Sequence, residues 1–228
     1  MKKFYAILLT LAISVIAYTA KAQIKVDDLP PYKLGITVGM NMPWFSGSIS
    51  QTLDGRTYSH NYEMTQGFQV GANLMVDGSN LIENSFGRVE LKYSMKGAKG
   101  KVTYGHFFDE EEITTHYIEV PVHAGYAWFI NDDISIMAET GPYIAIGVSG
   151  TCEGNVNGRP MPNAGVFDAM GGSRFDFGWG VQGSLMIAKN YQLHVAYDMG
   201  FANINRTLLQ NRNLSVGFTW FFESLLDF

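Results

Sequence analysis

Nine ionisable residues, Arg88, Glu90, Lys92, Glu119, His123, Glu139, Asp176, His194 and Asp198, sit in stretches where apolar residues recur at every second position, and each falls between the apolar ones. Within one stretch they stand two or four residues apart, so on an extended chain they share one face, opposite the apolar face. Carboxylates and histidines brought together from neighbouring strands could hold a metal ion, relay protons or form a catalytic acid–base group. The same residues could instead neutralise one another, because an unpaired buried charge is costly whereas a paired, hydrogen-bonded network is tolerated. We expect the second outcome, an ionic network without a cofactor or metal.

Catalysis has little to work with here. His123 and His194 have no local serine partner, and no G-x-S-x-G elbow, H-E-x-x-H helix or phosphate loop is present. Cys152 is the lone cysteine, set in a glycine-rich stretch without a neighbouring base, so it forms no intramolecular disulfide and has no mark of a nucleophile. His106, Asp109, Glu110, Glu111, Glu112 and His116 could bind a surface cation, but such a charge run is expected to be a solvated acidic loop.

The elements that must carry these residues are eight alternating stretches. In the first, Leu34, Ile36, Val38, Met40 and Met42 oppose Gly35, Thr37, Gly39 and Asn41. Seven more follow, around Phe68–Val76, Arg88–Lys96, Tyr117–Trp128, Ile134–Val148, Phe175–Ile187, Gln192–Gly200 and Leu214–Phe222, and a period of two over such lengths marks strands with unlike sides. Pro121 and Pro142 cannot donate to a ladder, so each predicts a bulge or a local break.

Connections alternate short and long. The long ones run approximately from Trp44 to Gln66, Gly97 to Thr114, Ser149 to Ser173 and Phe201 to Asn213. This is the pattern of an all-β, eight-stranded antiparallel up-and-down barrel with one plain rim and one elaborated rim. An even strand number puts both termini with the short turns, at the periplasmic rim of an outer-membrane barrel, and the long loops outside the cell.

Volume decides which face meets lipid. An eight-stranded barrel is only just wide enough inside for side chains or one small ligand, and the apolar faces carry on the order of 40 residues, many aromatic. They must point outward, leaving the polar face inside, where glycines such as Gly35, Gly39 and Gly217 relieve crowding. Tyr32, Trp128, Phe129, Tyr191, Trp220 and Phe222 fall near the periplasmic strand ends, as an interfacial girdle would. Ionisable groups at membrane depth are functional candidates by default, and in so narrow a lumen they serve most simply as a plug.

Residues 1–22 read as a signal peptide: Lys2 and Lys3 precede an apolar run from Phe4 to Ala17, and Ala20-Lys21-Ala22 offers a cleavage site. The run is shorter than the roughly 20 residues of a spanning helix. Removing 22 of 228 residues leaves a 206-residue barrel domain over 23–228, and loss of Lys2, Lys3 and Lys21 takes the formal charge from −5 to −8. A basic nucleic-acid surface is therefore absent. No repeat, charge block or Pro/Ser-rich linker divides the remainder.

Several longer pieces together resemble the PorT-like outer-membrane β-barrel proteins of Gram-negative bacteria. They are Leu34-Gly35-Ile36-Thr37-Val38-Gly39, Val89-Glu90-Leu91-Lys92-Tyr93-Ser94-Met95-Lys96-Gly97 and Tyr117-Ile118-Glu119-Val120-Pro121-Val122, then Glu139-Thr140-Gly141-Pro142-Tyr143, Asp176-Phe177-Gly178 and Asn211-Arg212-Asn213-Leu214-Ser215-Val216-Gly217-Phe218. Order and spacing carry the match, which spans nearly the whole mature chain. Both prolines fall inside it. The resemblance implies fold and location, a link to secretion and maturation of surface proteins through the family's named member, and no catalytic residues. One departure concerns the end: Glu223-Ser224-Leu225-Leu226-Asp227-Phe228 follow Phe222, so either Phe222 or Phe228 could serve as the closing aromatic.

The expectation is thus a monomeric, non-enzymatic barrel in the cell outer membrane, surrounded by outer-membrane lipid and lipopolysaccharide. It would act as a structural or binding protein through its extracellular loops, with secretion or surface-protein partners. The alternatives are a small-solute channel and, further off, a barrel enzyme acting on lipid or peptide.

Overall fold

The computed structural model describes residues 32–47, 49–53, 56–104, 107–156, 159–160, 164–167, 173–203 and 209–222. The signal peptide and the tail after Phe222 lie outside them. Eight strands form the ring: β1 (Tyr32–Ser46), β4 (Gly67–Asp77), β5 (Ser85–Tyr104), β6 (Phe107–Phe129), β7 (Ile134–Val156), β10 (Phe175–Ile187), β11 (Tyr191–Asn203) and β12 (Gln210–Phe222). Each pairs antiparallel with its sequence neighbour in the ring, and β1 closes on β12 from Leu34↔Phe222 to Ser46↔Gln210. Closure satisfies every edge that a lone sheet would leave open in lipid.

Alternation turns directly into sidedness. Along β1, Ile36 and Val38 are about half exposed (47% and 51%), whereas Thr37 and Asn41 are buried (2% and 0%). The same split holds around the ring, with Leu91, Ile144, Trp179, Val195 and Trp220 outward and Lys92, Tyr143, Asp176, Ala196 and Thr219 inward. Apolar side chains face the membrane and polar ones the lumen.

Three short turns join β4 to β5, β6 to β7 and β10 to β11, on the side where β1 begins and β12 ends. Asp77 accepts from both the backbone and the hydroxyl of Ser79 in the first turn, and Asn131 accepts from the backbone of Asp133 and Ile134 in the second. Such side-chain-closed turns need little length. Tyr32, Phe129, Tyr191 and Phe222 stand at the strand ends on this rim, with Trp128 and Trp220 one or two residues inside them.

The opposite rim corrects the expected loops. Most of the Gly97–Thr114 connection is strand: β5 and β6 stay paired from Gly97↔Thr114 to Tyr104↔Phe107, and β6 stays paired with β7 up to Glu110↔Asn155. In the first long connection a hairpin, β2 (Ile49–Leu53) with β3 (Arg56–Glu63), pairs with β5. Two short pieces, β8 (Arg159–Pro160) and β9 (Ala164–Gly165), add to β7. The ring therefore rises on one side into a crown of sheet.

The prolines produce breaks without bulges. Pairing of β6 with β7 skips Val122 and His123 between Pro121↔Tyr143 and Ala124↔Thr140, and pairing of β5 with β6 skips Glu90 and Leu91. Neither gap shifts register. The register shifts fall instead at His116/Tyr117 and between Met199 and Asn203.

Candidate functional site

Inside the ring, the inward side chains form three layers. Towards the crown, Phe45, Ile113, Tyr117, Tyr143, Phe167 and Leu209 pack as one apolar cluster across the lumen, with Val166 and Phe167 brought in from the chain after β9. Towards the short turns, Phe86, Ala127, Met137, Met186 and Phe221 form a second, with Met75 against it. The ionisable residues lie between.

Register explains who meets whom. Arg88 lies opposite His123 and Lys92 opposite Glu119 on β5 and β6, and Glu139 follows on β7, one strand further round the ring. The Arg88 guanidinium is 3.2 Å from Glu139 Oε2, and His123 Nδ1 lies 3.4 Å from Glu139 Oε1. The Lys92 ammonium stands 3.3 Å from Glu119 Oε2 and 4.0 Å from Asp198. Glu119 Oε1 is gripped by Lys96. Lys96 also lies 5.0 Å from the centre of the Tyr143 ring and 5.8 Å from that of Tyr117.

Amides and hydroxyls tie the charges together. Asn213 donates to Asp198 and to Asn41 (3.4 Å each), and Asn41 donates to Ser94 at 3.0 Å. Asp176 accepts from Asn211 at 2.9 Å and from the Tyr143 hydroxyl at 3.2 Å. Glu90 and His194 face the same layer, but no ion pair joins either of them among the described residues. Each is seated against a glycine, since a Cβ on Gly71 would lie 2.5 Å from Glu90 and one on Gly217 would lie 2.4 Å from the His194 ring.

Lys96, Tyr117, Tyr143, Asn41, Ser94, Asn211 and Asn213 join the network beyond the nine ionisable residues expected from the sequence. Lys96 was within reach, because it keeps the parity of Arg88 and Lys92. With it, the layer holds three cations, Arg88, Lys92 and Lys96, against five carboxylates, Glu90, Glu119, Glu139, Asp176 and Asp198, and two histidines.

The acidic run on the second long connection is a paired strand, not a loop. Glu112 and Lys99 form an exposed ion pair at 3.4 Å, Glu111 accepts from the Tyr62 hydroxyl at 3.0 Å, and His116 packs outside the barrel on Tyr93 with a 2.7 Å hydrogen bond. His106 lies outside the described residues. Among the described residues no group of three histidine, cysteine or acidic side chains could hold a metal. Cys152, on the crown end of β7, has its thiol 3.9 Å from Glu111; burial and then that carboxylate push it up to about 11. Burial and Glu111 likewise raise the Tyr62 phenol.

A closed antiparallel ring, lipophilic outside and ionic inside, is the architecture of outer-membrane barrels. The chain belongs to the outer membrane protein beta-barrel domain family, whose profile matches residues 30–206. This places it in the outer membrane. Similar solved structures include Neisserial surface protein A (12% identity, TM-score 0.44, 83% of this chain and 97% of that one). The attachment invasion locus protein Ail of Yersinia pestis is similar at 13% identity and TM-score 0.38, over 83% and 98% of the two chains. The outer membrane protein OprG of Pseudomonas aeruginosa is similar at 11% and 0.43, over 86% and 98%. No curated protein matches the sequence.

Proposed function

We propose that this barrel is a plugged scaffold: its lumen is filled for stability, and its crown presents a binding or structural surface outside the cell, in the service of protein secretion or surface assembly as the PorT-like resemblance implies. The observation that carries the reading is the filling of the lumen. Three layers of inward side chains, apolar, ionic and apolar, occupy the ring, and Lys96, Glu119, Asn41, Asn213 and Phe221 have 1% exposure or less. The investment in paired strand beyond the lipid-facing band supports a role for the crown, because a barrel needs only about 9–11 residues per strand to cross and β6 and β7 each have 23.

On this reading residues 1–22 are cleaved on export, the mature chain is a monomer that performs no catalysis, and the ionic residues act through stability. Two measurements test it. The purified protein in planar bilayers gives no discrete conductance steps; a stepwise conductance would make it a channel. Cross-linking and pull-down from intact cells recovers secretion or surface-protein partners from the full chain, and not from a variant whose 98–113 hairpin is replaced by a tight turn while the barrel still folds. Equal recovery from both would remove the crown from the function.

A further inference from the structure

We infer that the lipid-facing wall of the barrel holds a phosphate of an outer-leaflet lipopolysaccharide on the guanidinium of Arg212. Arg212 keeps the outward parity of Leu214, Val216 and Phe218 on β12 and lies directly across from Trp44 on β1 and Met199 on β11. Ten positions separate it from Phe222 at the periplasmic end of the strand. At about 3.3 Å per residue and a tilt of about 40°, the rise is about 25 Å, the height of the apolar band of such barrels. Arg212 therefore stands at the headgroup level of the outer leaflet.

Aromatic side chains mark the same level. Trp44 and Tyr197, from the strands on either side of β12, stack with ring centres 5.9 Å apart and planes at 28°. Tyr197 lies across from Leu214, so the stacked pair crosses the outer face of β12 between the levels of Arg212 and Leu214, on the membrane side of the guanidinium. Amphipathic rings suit that depth.

A local irregularity builds the seat. Between Met199↔Arg212 and Asn203↔Gln210 the register shifts, so Gly200, Phe201 and Ala202 stand against Asn211 alone. Bulges of this kind re-aim side chains and release backbone groups from the ladder. Here Arg212 donates through Nη1 to the carbonyls of Gly200 (2.6 Å) and Asn211 (2.9 Å), and through Nη2 to Gln210 Oε1 at 3.2 Å. Gln210 is itself anchored, its Nε2 donating to the Phe201 carbonyl at 3.3 Å.

All of these partners are neutral oxygens. They fix the guanidinium without cancelling its charge, and they leave part of its donor fork open. No carboxylate among the described residues pairs with Arg212, and the acidic side chains Glu110, Glu112 and Glu153 lie round the ring on β6 and β7. An immobilised, unneutralised cation at the depth of anionic headgroups is complementary to phosphate, and the planar fork of arginine matches phosphate oxygens in a way a point charge does not. A side chain that merely snorkelled to the interface would need neither the bulge nor Gln210.

The test counts lipid on the full barrel by native mass spectrometry from detergent, with EDTA present so that divalent ions cannot bridge lipid to the acidic crown. The probes are bisphosphorylated lipid A, the same lipid A with its phosphates removed, and inorganic phosphate. One lipid A per barrel is expected, held at least about tenfold more tightly than the phosphate-free lipid and not displaced by inorganic phosphate at the same concentration. Arg212→Gln and Arg212→Lys, each with the heat-dependent gel shift intact, should each lower affinity at least about tenfold, and Gln210→Ala, which leaves the cation in place, severalfold. Lys99→Gln, which removes a cation from the crown, changes nothing. The two lipids are compared on the unaltered protein, so the inference remains testable even where a variant fails to fold. Equal affinity for both lipids, parental affinity in Arg212→Lys, or displacement by inorganic phosphate at the same concentration overturns it.

Discussion

Replacing Glu119 by glutamine is the sharpest perturbation of the ionic layer. Its carboxylate is 1% exposed and serves two ammonium groups at once, Lys96 through Oε1 and Lys92 through Oε2 at 3.3 Å. After the change Lys92 keeps Asp198 at 4.0 Å, while Lys96 loses its paired carboxylate and keeps the faces of Tyr117 and Tyr143 with at most a neutral amide oxygen in its place. Breaking a buried pair from one side costs about 3–5 kcal/mol, because the surviving charge is left in a low dielectric. An exposed pair would give roughly 0.2–1 kcal/mol, so the measurement separates the two environments. The assay is urea unfolding in lipid vesicles, followed by tryptophan fluorescence and by gel mobility. The double variant Lys96→Met with Glu119→Gln removes the stranded ammonium as well, and should lie about 2 kcal/mol above the sum of the single effects. A single-variant loss below about 1 kcal/mol, or strict additivity, would refute a tightly paired, dry layer.

Three further outcomes follow from the geometry. Val195→Lys, on the outer face near the middle of β11, should destabilise by about 2–4 kcal/mol in bilayers, whereas Lys99→Gln on the half-exposed crown pair should cost less than about 1 kcal/mol in the same unfolding assay. Gly217→Ala would press a Cβ against the His194 ring and, at 2.9 Å, the Val38 carbonyl, and should cost about 1–3 kcal/mol, while Gly183→Ala, where an added Cβ meets open space, should be nearly silent; equal effects would remove this close approach as the cause. The Cys152 thiol is raised from 9.0 to about 11, so folding favours its neutral form: that contribution is complete below pH 9 and is lost as pH rises from 9 to 11. Its maleimide labelling should therefore keep accelerating above pH 9.5, and faster labelling of Glu111→Gln at pH 8 would identify the carboxylate; a plateau by pH 9.5 would show an ordinary thiol.

What the sequence made legible was the difference between two faces. Along β1 lipid meets one side and packed polar groups the other, so the period of two is strong and volume alone decides its sense. Where neither face meets lipid the signal vanishes: Gly97, Ala98 and Gly100 are followed by Glu110, Glu111 and Glu112, a run with no apolar period, although β5 and β6 remain paired through it. Above the lipid-facing band the ribbon is held by backbone pairing, which leaves no trace in hydropathy. The same limit governs the lumen. Parity puts Arg88 and Glu139 on one inner face, but their contact skips β6, and Lys96 reaches Glu119 four residues off the direct Lys92↔Glu119 pair. Register and side-chain length set those pairings, and neither is written as a periodicity. Pro121 and Pro142 make the same point about the backbone: each strand is clamped by two neighbours over many residues, so the missing donors open gaps in the ladder without shifting it. A rule about one residue in one strand thus gives way, in a closed ring, to the register that all eight strands must share.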